Sequence, residues 1–106
     1  THTTADGQRL GMRNILARIN PTATRRVLYL AHWDSRPIAE KAVDAVAQTQ
    51  PTPGANDGAS GVAILLGVAD ALKRQPATVG VDLLFVDGED WGDFDTLTDV
   101  LIGSRY

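Results

Sequence analysis

Cysteine is absent from this sequence, and aromatic residues make up only 6% of it. The lack of cysteine excludes disulfide bonds and thiolate metal ligands. Basic residues are also scarce: 10 Lys and Arg face 13 Asp and Glu, and the net charge of −3 offers no basic surface to nucleic acid or an acidic membrane. No apolar run approaches the roughly 18 residues that cross a bilayer, and the start THTTADGQRL lacks the profile of a signal peptide. We therefore expect one small globular domain without nucleic-acid or membrane partners.

Apolar residues are concentrated in four segments. Asn14–Ile19 and Val27–Ala31 are β-branched and aliphatic, and the connector NPTAT has hairpin length, so the pattern predicts an antiparallel pair of strands. Ser60–Arg74 has apolar residues at helical spacing, with Ser60 as the expected N-cap. Val81–Val86 is a further short apolar strand.

This order of elements indicates the fold class. A strand, a helix and a second strand in one sheet form a right-handed crossover, so Val27–Ala31 and Val81–Val86 should run parallel. We therefore predict an α/β domain whose mixed β-sheet combines an antiparallel hairpin with a parallel βαβ crossover. The carboxyl ends of parallel strands meet at the edge where open α/β sheets bind ligands.

Polar residues gather at that predicted edge. His32 and Asp34 follow the first parallel strand, Asp57 precedes the helix, and Glu89 and Asp90 follow the second. Carboxylates crowded together repel one another, and a divalent cation relieves that repulsion. Zinc suits a set of nitrogen and oxygen donors without thiolate.

Each of these residues also has a simpler interpretation. His32 at a strand end is often hydrogen-bonded to a backbone carbonyl, and Asp57 before a helix is often a capping residue. Glu89 and Asp90 fit an ordinary exposed turn. Trp33 and Trp91 either line a substrate pocket or serve as packing residues. Position alone does not separate these alternatives.

Three motifs in combination carry a family resemblance. AHWDS, PGANDGASGV and FVDGEDWG resemble, in order and spacing, the zinc-binding segments of the M28 peptidase family. Within that family, AHWDSRP, VDGEDWG and the ending IGSRY are most similar to the glutaminyl cyclase branch of bacteria. The resemblance implies a zinc-aminopeptidase-like fold, also described as phosphorylase/hydrolase-like, and a location outside the cytoplasm.

The resemblance also implies roles for individual residues. Asp57 and Asp90 match zinc ligands, although relatives often have Glu where this chain has Asp90. His32 matches a ligand of the second metal in the aminopeptidases, and it is retained without being a ligand in the one-zinc cyclases. Glu89 matches the general base and acid, and Asp34 is expected to orient His32 through its other ring nitrogen.

Counting ligands gives a further expectation. A catalytic zinc takes about three protein ligands and a water, and in this family another aspartate and a final histidine follow the GSR motif. We therefore expect residues 1–106 to be the N-terminal portion of a single catalytic domain. An exposed sheet edge in such a portion would favour self-association.

Three functions follow from the resemblance. A cyclase with one Zn²⁺ would convert the N-terminal Gln of peptides or proteins to pyroglutamate and release ammonia. An aminopeptidase with two Zn²⁺ would instead hydrolyse N-terminal residues by means of a metal-activated water. The third alternative is a binding module or incomplete fragment that keeps the scaffold without catalysis.

Overall fold

The computed structural model describes all residues from 1 to 106. The strands in chain order are β1 (His2–Thr3), β2 (Arg9–Leu10), β3 (Ile15–Ile19), β4 (Arg26–His32) and β5 (Gly80–Val86). The helix α1 (Ala59–Arg74) connects β4 to β5, and single 3₁₀ turns lie at Ala47–Thr49 and Gly103–Arg105. None of the helices is long and apolar enough to cross a membrane.

The main sheet has the order β3-β5-β4, and β1 and β2 form a separate small hairpin. β5 runs parallel to β4 and antiparallel to β3, which confirms the mixed sheet and the parallel crossover. The prediction that β3 and β4 would be direct neighbours is wrong, because β5 lies between them. β5 is the most buried strand and so takes the centre, where both backbone edges are paired. Residues 20–25 have ample length for the gap of about 10 Å that two strand spacings leave.

Asp82 of β5 ties the three strands together through its carboxylate. Its Oδ1 lies 3.1 Å from Nε of Arg18 on β3 and 2.6 Å from Nη2 of Arg26 on β4. Arg26 also donates to the carbonyls of Ile19 and Asn20, which fixes the start of the connector. The two arginines therefore favour the observed strand order over a direct β3–β4 pairing.

The core lies between the sheet and α1. Leu65 of the helix packs with Ala31, Val81 and Leu83, all of which are buried. Burial of this apolar face supplies the main stabilisation of the layer. The opposite face of the sheet carries three leucines that remain about half exposed, namely Leu16, Leu28 and Leu30.

The helix begins differently from the prediction. Its N-cap is Gly58, with a φ of 91°, and no side chain caps the first turn. Ser60 lies inside the helix, where its hydroxyl donates to the carbonyl of Asn56. The expected N-cap role of Ser60 is therefore wrong, since glycine alone accommodates this backbone turn readily.

Candidate metal centre

Three chain segments meet at the carboxyl edge of β4 and β5. β4 ends at His32 and continues to Asp34, and β5 leads into Glu89 and Asp90. Asp57 lies in the segment just before α1. The structure therefore brings together the polar side chains that the sequence placed at this edge, because parallel strands end on the same side of a sheet.

His32 lies at the centre of this group. Its Nε2 is 3.0 Å from Oδ1 of Asp57. Its Nδ1 is 3.5 Å from Oδ1 of Asp34 and 3.7 Å from Oε2 of Glu89, and it is buried without a hydrogen-bond partner. One imidazole thus contacts carboxylates from all three segments, and one ring nitrogen remains available.

Asp34 mainly holds the loop after β5. Its Oδ1 accepts the backbone N–H of Glu89 at 3.1 Å, and its Oδ2 accepts that of Asp90 at 3.0 Å. Asp34 was expected to orient His32, and the two side chains lie close together, but no hydrogen bond joins them. The carboxylate therefore fixes the backbone from which Glu89 and Asp90 project.

Gly58 allows the helix start to approach β4 closely. A Cβ atom at this position would lie 2.6 Å from the carbonyl oxygen of Asp34 and 3.3 Å from Cε1 of His32. Its φ of 91° is also unfavourable for any other residue. Asp57 can reach His32 because the next residue has no side chain.

Asp90 is buried against Arg36, a residue that the sequence did not indicate as functional. Nη1 of Arg36 lies 2.9 Å from Oδ1 of Asp90, while its Nε lies 2.9 Å and 3.0 Å from the two carboxylate oxygens of Glu40. These contacts lower the pKa of Glu40 to about 2 and raise that of Arg36. The only available signal was the basic residue that follows His32 and Asp34 in the same motif.

Glu89 has the electrostatic setting of a proton-transfer group. Burial raises its pKa above the ordinary glutamate value, and the charge of His32 partly opposes that rise. The nearby carboxylates of Asp90, Asp34 and Asp57 raise it further. A carboxyl group with a raised pKa exchanges protons closer to neutral pH, as a general acid or base requires.

These side chains open into a cavity of about 900 Å³. His32, Asp57, Glu89, Asp90 and Trp91 are part of its lining. Further carboxylates on the wall come from Asp6, Glu40, Asp93, Asp95 and Asp99, while Arg36 and Lys41 supply the permanent positive charges. The wall therefore has an excess of acid and favours cationic groups.

The two tryptophans differ in position. Trp91 lines the cavity, as expected of a residue that contacts substrate. Trp33 is not part of the lining, and its indole N–H donates to the carbonyl of Arg13 at 3.0 Å. Trp33 therefore lies outside the cavity, and the residue is 44% exposed.

The N-terminal hairpin forms one wall of the cavity. Nε2 of His2 lies 2.8 Å from Oδ1 of Asp99, and the other carboxylate oxygen of Asp99 accepts the backbone N–H of Ala5 at 2.7 Å. Hydrogen bonding to His2 lowers the pKa of Asp99. His2 therefore joins the N-terminal hairpin to the segment that follows β5.

The side chains fit zinc in kind but not in number. His32, Asp57 and Asp90 offer the nitrogen and oxygen donors that zinc accepts, and Nδ1 of His32 is buried and unpaired. No three His, Cys, Asp or Glu residues converge closely enough to hold a metal ion by themselves. Residues 1–106 therefore fit part of a zinc site.

Comparison with known proteins adds independent information. Residues 14–106 match the model of Peptidase family M28. The glutaminyl-peptide cyclotransferase-like protein of Mus musculus is 33% identical over 108 residues, which cover 92% of this chain and 25% of that protein. This chain thus spans about a quarter of the length of that curated relative.

Two crystal structures have closely similar folds. Glutaminyl cyclase from Porphyromonas gingivalis superposes with a TM-score of 0.90 at 40% identity, and the match covers 99% of this chain and 37% of that one. A Zn-dependent exopeptidase from Parabacteroides distasonis gives a TM-score of 0.89 at 36% identity, with 97% of this chain and 37% of that one covered. The family match and these folds show that the chain belongs to Peptidase family M28.

Proposed function

We propose that these residues form part of the active site of a zinc-dependent glutaminyl-peptide cyclotransferase. Such an enzyme converts the N-terminal Gln of a peptide to pyroglutamate and releases ammonia. The observation that carries the proposal is Glu89, a carboxyl group of raised pKa in an acidic cavity beside His32. The cyclases among its relatives support the choice of reaction. Because the chain spans a quarter of the curated relative, the activity is proposed for the intact protein that carries it.

In this proposal Glu89 transfers the proton. The α-amine of the substrate attacks the side-chain amide carbon of its own Gln, forming one C–N bond. Glu89 accepts a proton from that nitrogen and donates it to the amide nitrogen of the Gln side chain. The original bond between this nitrogen and the amide carbon then breaks, and ammonia is released. No net proton is gained or lost by the carboxyl group.

The other residues bind and orient in this proposal. The acidic wall attracts the charged form of the peptide N-terminus, and Trp91 supplies apolar contact. Asp57 and Asp90 are the proposed zinc ligands, and His32 holds Asp57 through the 3.0 Å contact of its Nε2. When bound, zinc supplies polarisation of the amide carbonyl. Asp34 keeps Glu89 and Asp90 in position through their backbone amides.

A second candidate is aminopeptidase activity. The Zn-dependent exopeptidase is as similar in fold to this chain as the cyclase is. In that reaction Glu89 would take its proton from water and deliver it to the leaving amine, with a scissile peptide in place of the Gln side chain. Both candidates act on peptide N-termini.

A pair of peptides that differ only in the first residue separates the candidates. The intact protein with zinc should release ammonia from the Gln-initiated peptide and leave its backbone uncleaved, as shown by mass spectrometry. Robust hydrolysis of the Leu-initiated peptide without cyclisation would establish the aminopeptidase. Binding of both peptides with turnover of neither would instead support a module without catalysis.

A further inference from the structure

Arg36 forms hydrogen bonds with one side of Asp90. Its Nη1 donates to Oδ1 of the carboxylate at 2.9 Å and to the backbone carbonyl of the same residue at 3.3 Å. The Asp90 side chain is only 9% exposed, so few water molecules can solvate it. The hydrogen bonds that Asp90 accepts from the protein go to its Oδ1 and its backbone carbonyl, and none goes to Oδ2. One oxygen is therefore held and the other is left free.

The guanidinium is itself held from the opposite side. Both carboxylate oxygens of Glu40 accept from Nε of Arg36, and a further bond joins its Nη2 to Glu40. The Phe94 ring lies under the guanidinium, with its centroid 5.9 Å from Cζ. The backbone carbonyl of Arg36 accepts the N–H of Thr52 at 3.1 Å, which joins the residue to the far end of the loop after β4. Arg36 thus has little freedom to leave Asp90.

We propose that Arg36 is a positioning residue that fixes Asp90 as a one-oxygen metal ligand. The proposal rests on the ligand role given to Asp90 above. Because Arg36 holds Oδ1, Oδ2 is the carboxylate oxygen that has no protein partner to compete with a metal ion, and the side chain is oriented before metal binds. Hydrogen bonds to a ligating carboxylate are worth about 10- to 100-fold in metal affinity.

The fork of the guanidinium is essential to this role. Nε and Nη2 face Glu40 while Nη1 faces Asp90, so a single planar group bridges two carboxylates. A lysine ammonium has the same charge, but it lacks this fixed arrangement of donors. Substitution by lysine therefore separates geometry from charge.

Zinc affinity of the intact protein tests the proposal without relying on its activity. Zinc dissociation constants are measured at 25 °C by competition with a chelator for the wild type, Arg36→Ala, Arg36→Lys and the control Arg74→Ala. Arg74 is a suitable control because it pairs with Asp70 on the exposed face of α1, away from the cavity. Circular dichroism and thermal melting of the metal-free proteins report folding separately.

We expect Arg36→Ala to weaken zinc binding by about 10- to 100-fold and Arg36→Lys to have intermediate affinity, while Arg74→Ala stays within about twofold of the wild type. A folded Arg36→Ala protein with wild-type zinc affinity would overturn the proposal. That result would show that Arg36 stabilises the fold without affecting zinc binding. If Arg36→Ala does not fold, Arg36→Lys decides, and wild-type affinity in that variant refutes the role of the fork. Absence of zinc binding by the wild type would also refute it. Failure of the wild type to cyclise Gln-peptides while these affinity differences hold would refute only the proposed reaction.

Discussion

The carboxylate of Asp34 should stabilise the loop after β5, and Asp34→Ala measures by how much. The substitution removes two charge-assisted hydrogen bonds, at 3.1 Å to the N–H of Glu89 and 3.0 Å to that of Asp90. Each such bond contributes about 1.5–3 kcal/mol where the donor stays buried after the partner is removed. Partial access of water to the loop lowers the sum, so we expect the free energy of unfolding to fall by about 2–4 kcal/mol. That loss is a large fraction of the roughly 5–15 kcal/mol available to a domain.

Urea unfolding of wild type, Asp34→Ala and Asp34→Asn tests this magnitude. With an m-value of about 2 kcal/mol/M, the midpoint of Asp34→Ala should fall by about 1–2 M. Asp34→Asn keeps one acceptor oxygen and should lie between the other two. Asp44→Ala is a matched control, since Asp44 accepts a single N–H, that of Ala47, at an exposed turn. A midpoint shift for Asp34→Ala no larger than that of the control would refute the proposed role in holding the loop.

Three further changes have expected outcomes. Gly58→Ala should destabilise the protein by about 1–3 kcal/mol in urea unfolding, because the positive φ and the contact with a backbone carbonyl both oppose a Cβ. Its control is Gly67→Ala, in the middle of the helix with open space around it, which should stabilise the protein by about 0.5–1 kcal/mol. The hydrogen bond from Arg26 lowers the pKa of Asp82, so wild-type stability should decline as pH falls below about 4 towards the lowered folded-state pKa, and Asp82→Asn should flatten that decline in acid titrations of urea midpoints. Glu89→Gln should retain zinc while losing roughly 100-fold or more in turnover. Because a general base must be deprotonated, the kcat/KM of the wild type should rise with pH at values above the free glutamate pKa of 4.5, and this rise should be absent in the variant. Near wild-type turnover of Glu89→Gln would contradict the proton-transfer role.

The sequence was sufficient to predict the elements that rest on local pattern. The helical spacing of the apolar residues through Leu65 and the apolar run Val81–Val86 are both visible in the chain, and both elements formed close to the predicted bounds. Strand order was harder, because a short connector such as NPTAT fits a hairpin as well as a passage behind an inserted strand. The deciding contacts were those of Asp82 with Arg18 and Arg26, residues that are 56 or more positions away from it. Local periodicity contains no information about such pairs.

The candidate site shows the same division. His32 ends β4, and Asp57, Glu89 and Asp90 follow or precede regular elements, so topology alone brought them to one edge. Arg36 was not predicted because its importance comes from Asp90, which lies 54 residues further along the chain. Asp34 was expected to orient His32 and lies 3.5 Å from its Nδ1, but the sequence did not indicate that its two carboxylate oxygens also accept backbone amides of the β5 loop. Every residue except proline has a backbone N–H donor, so the amino-acid sequence does not show which of these donors a side chain will bind.

The two sides of the candidate metal centre differ in how firmly they are held. On the β5 side, Asp90 is 9% exposed and bonded to Arg36, and its backbone is fixed by Asp34. On the helix side, the carboxylate of Asp57 is 73% exposed and bonded only to His32. An ion bound between them would therefore order mainly the Asp57 side chain, which must lose rotamer freedom that Asp90 has already lost on folding. If Asp57 and Asp90 are the zinc ligands, as proposed, substitutions at Asp34 or Arg36 would loosen a ligand that is rigid before metal binds, whereas those at His32 would affect a ligand that metal binding must itself immobilise.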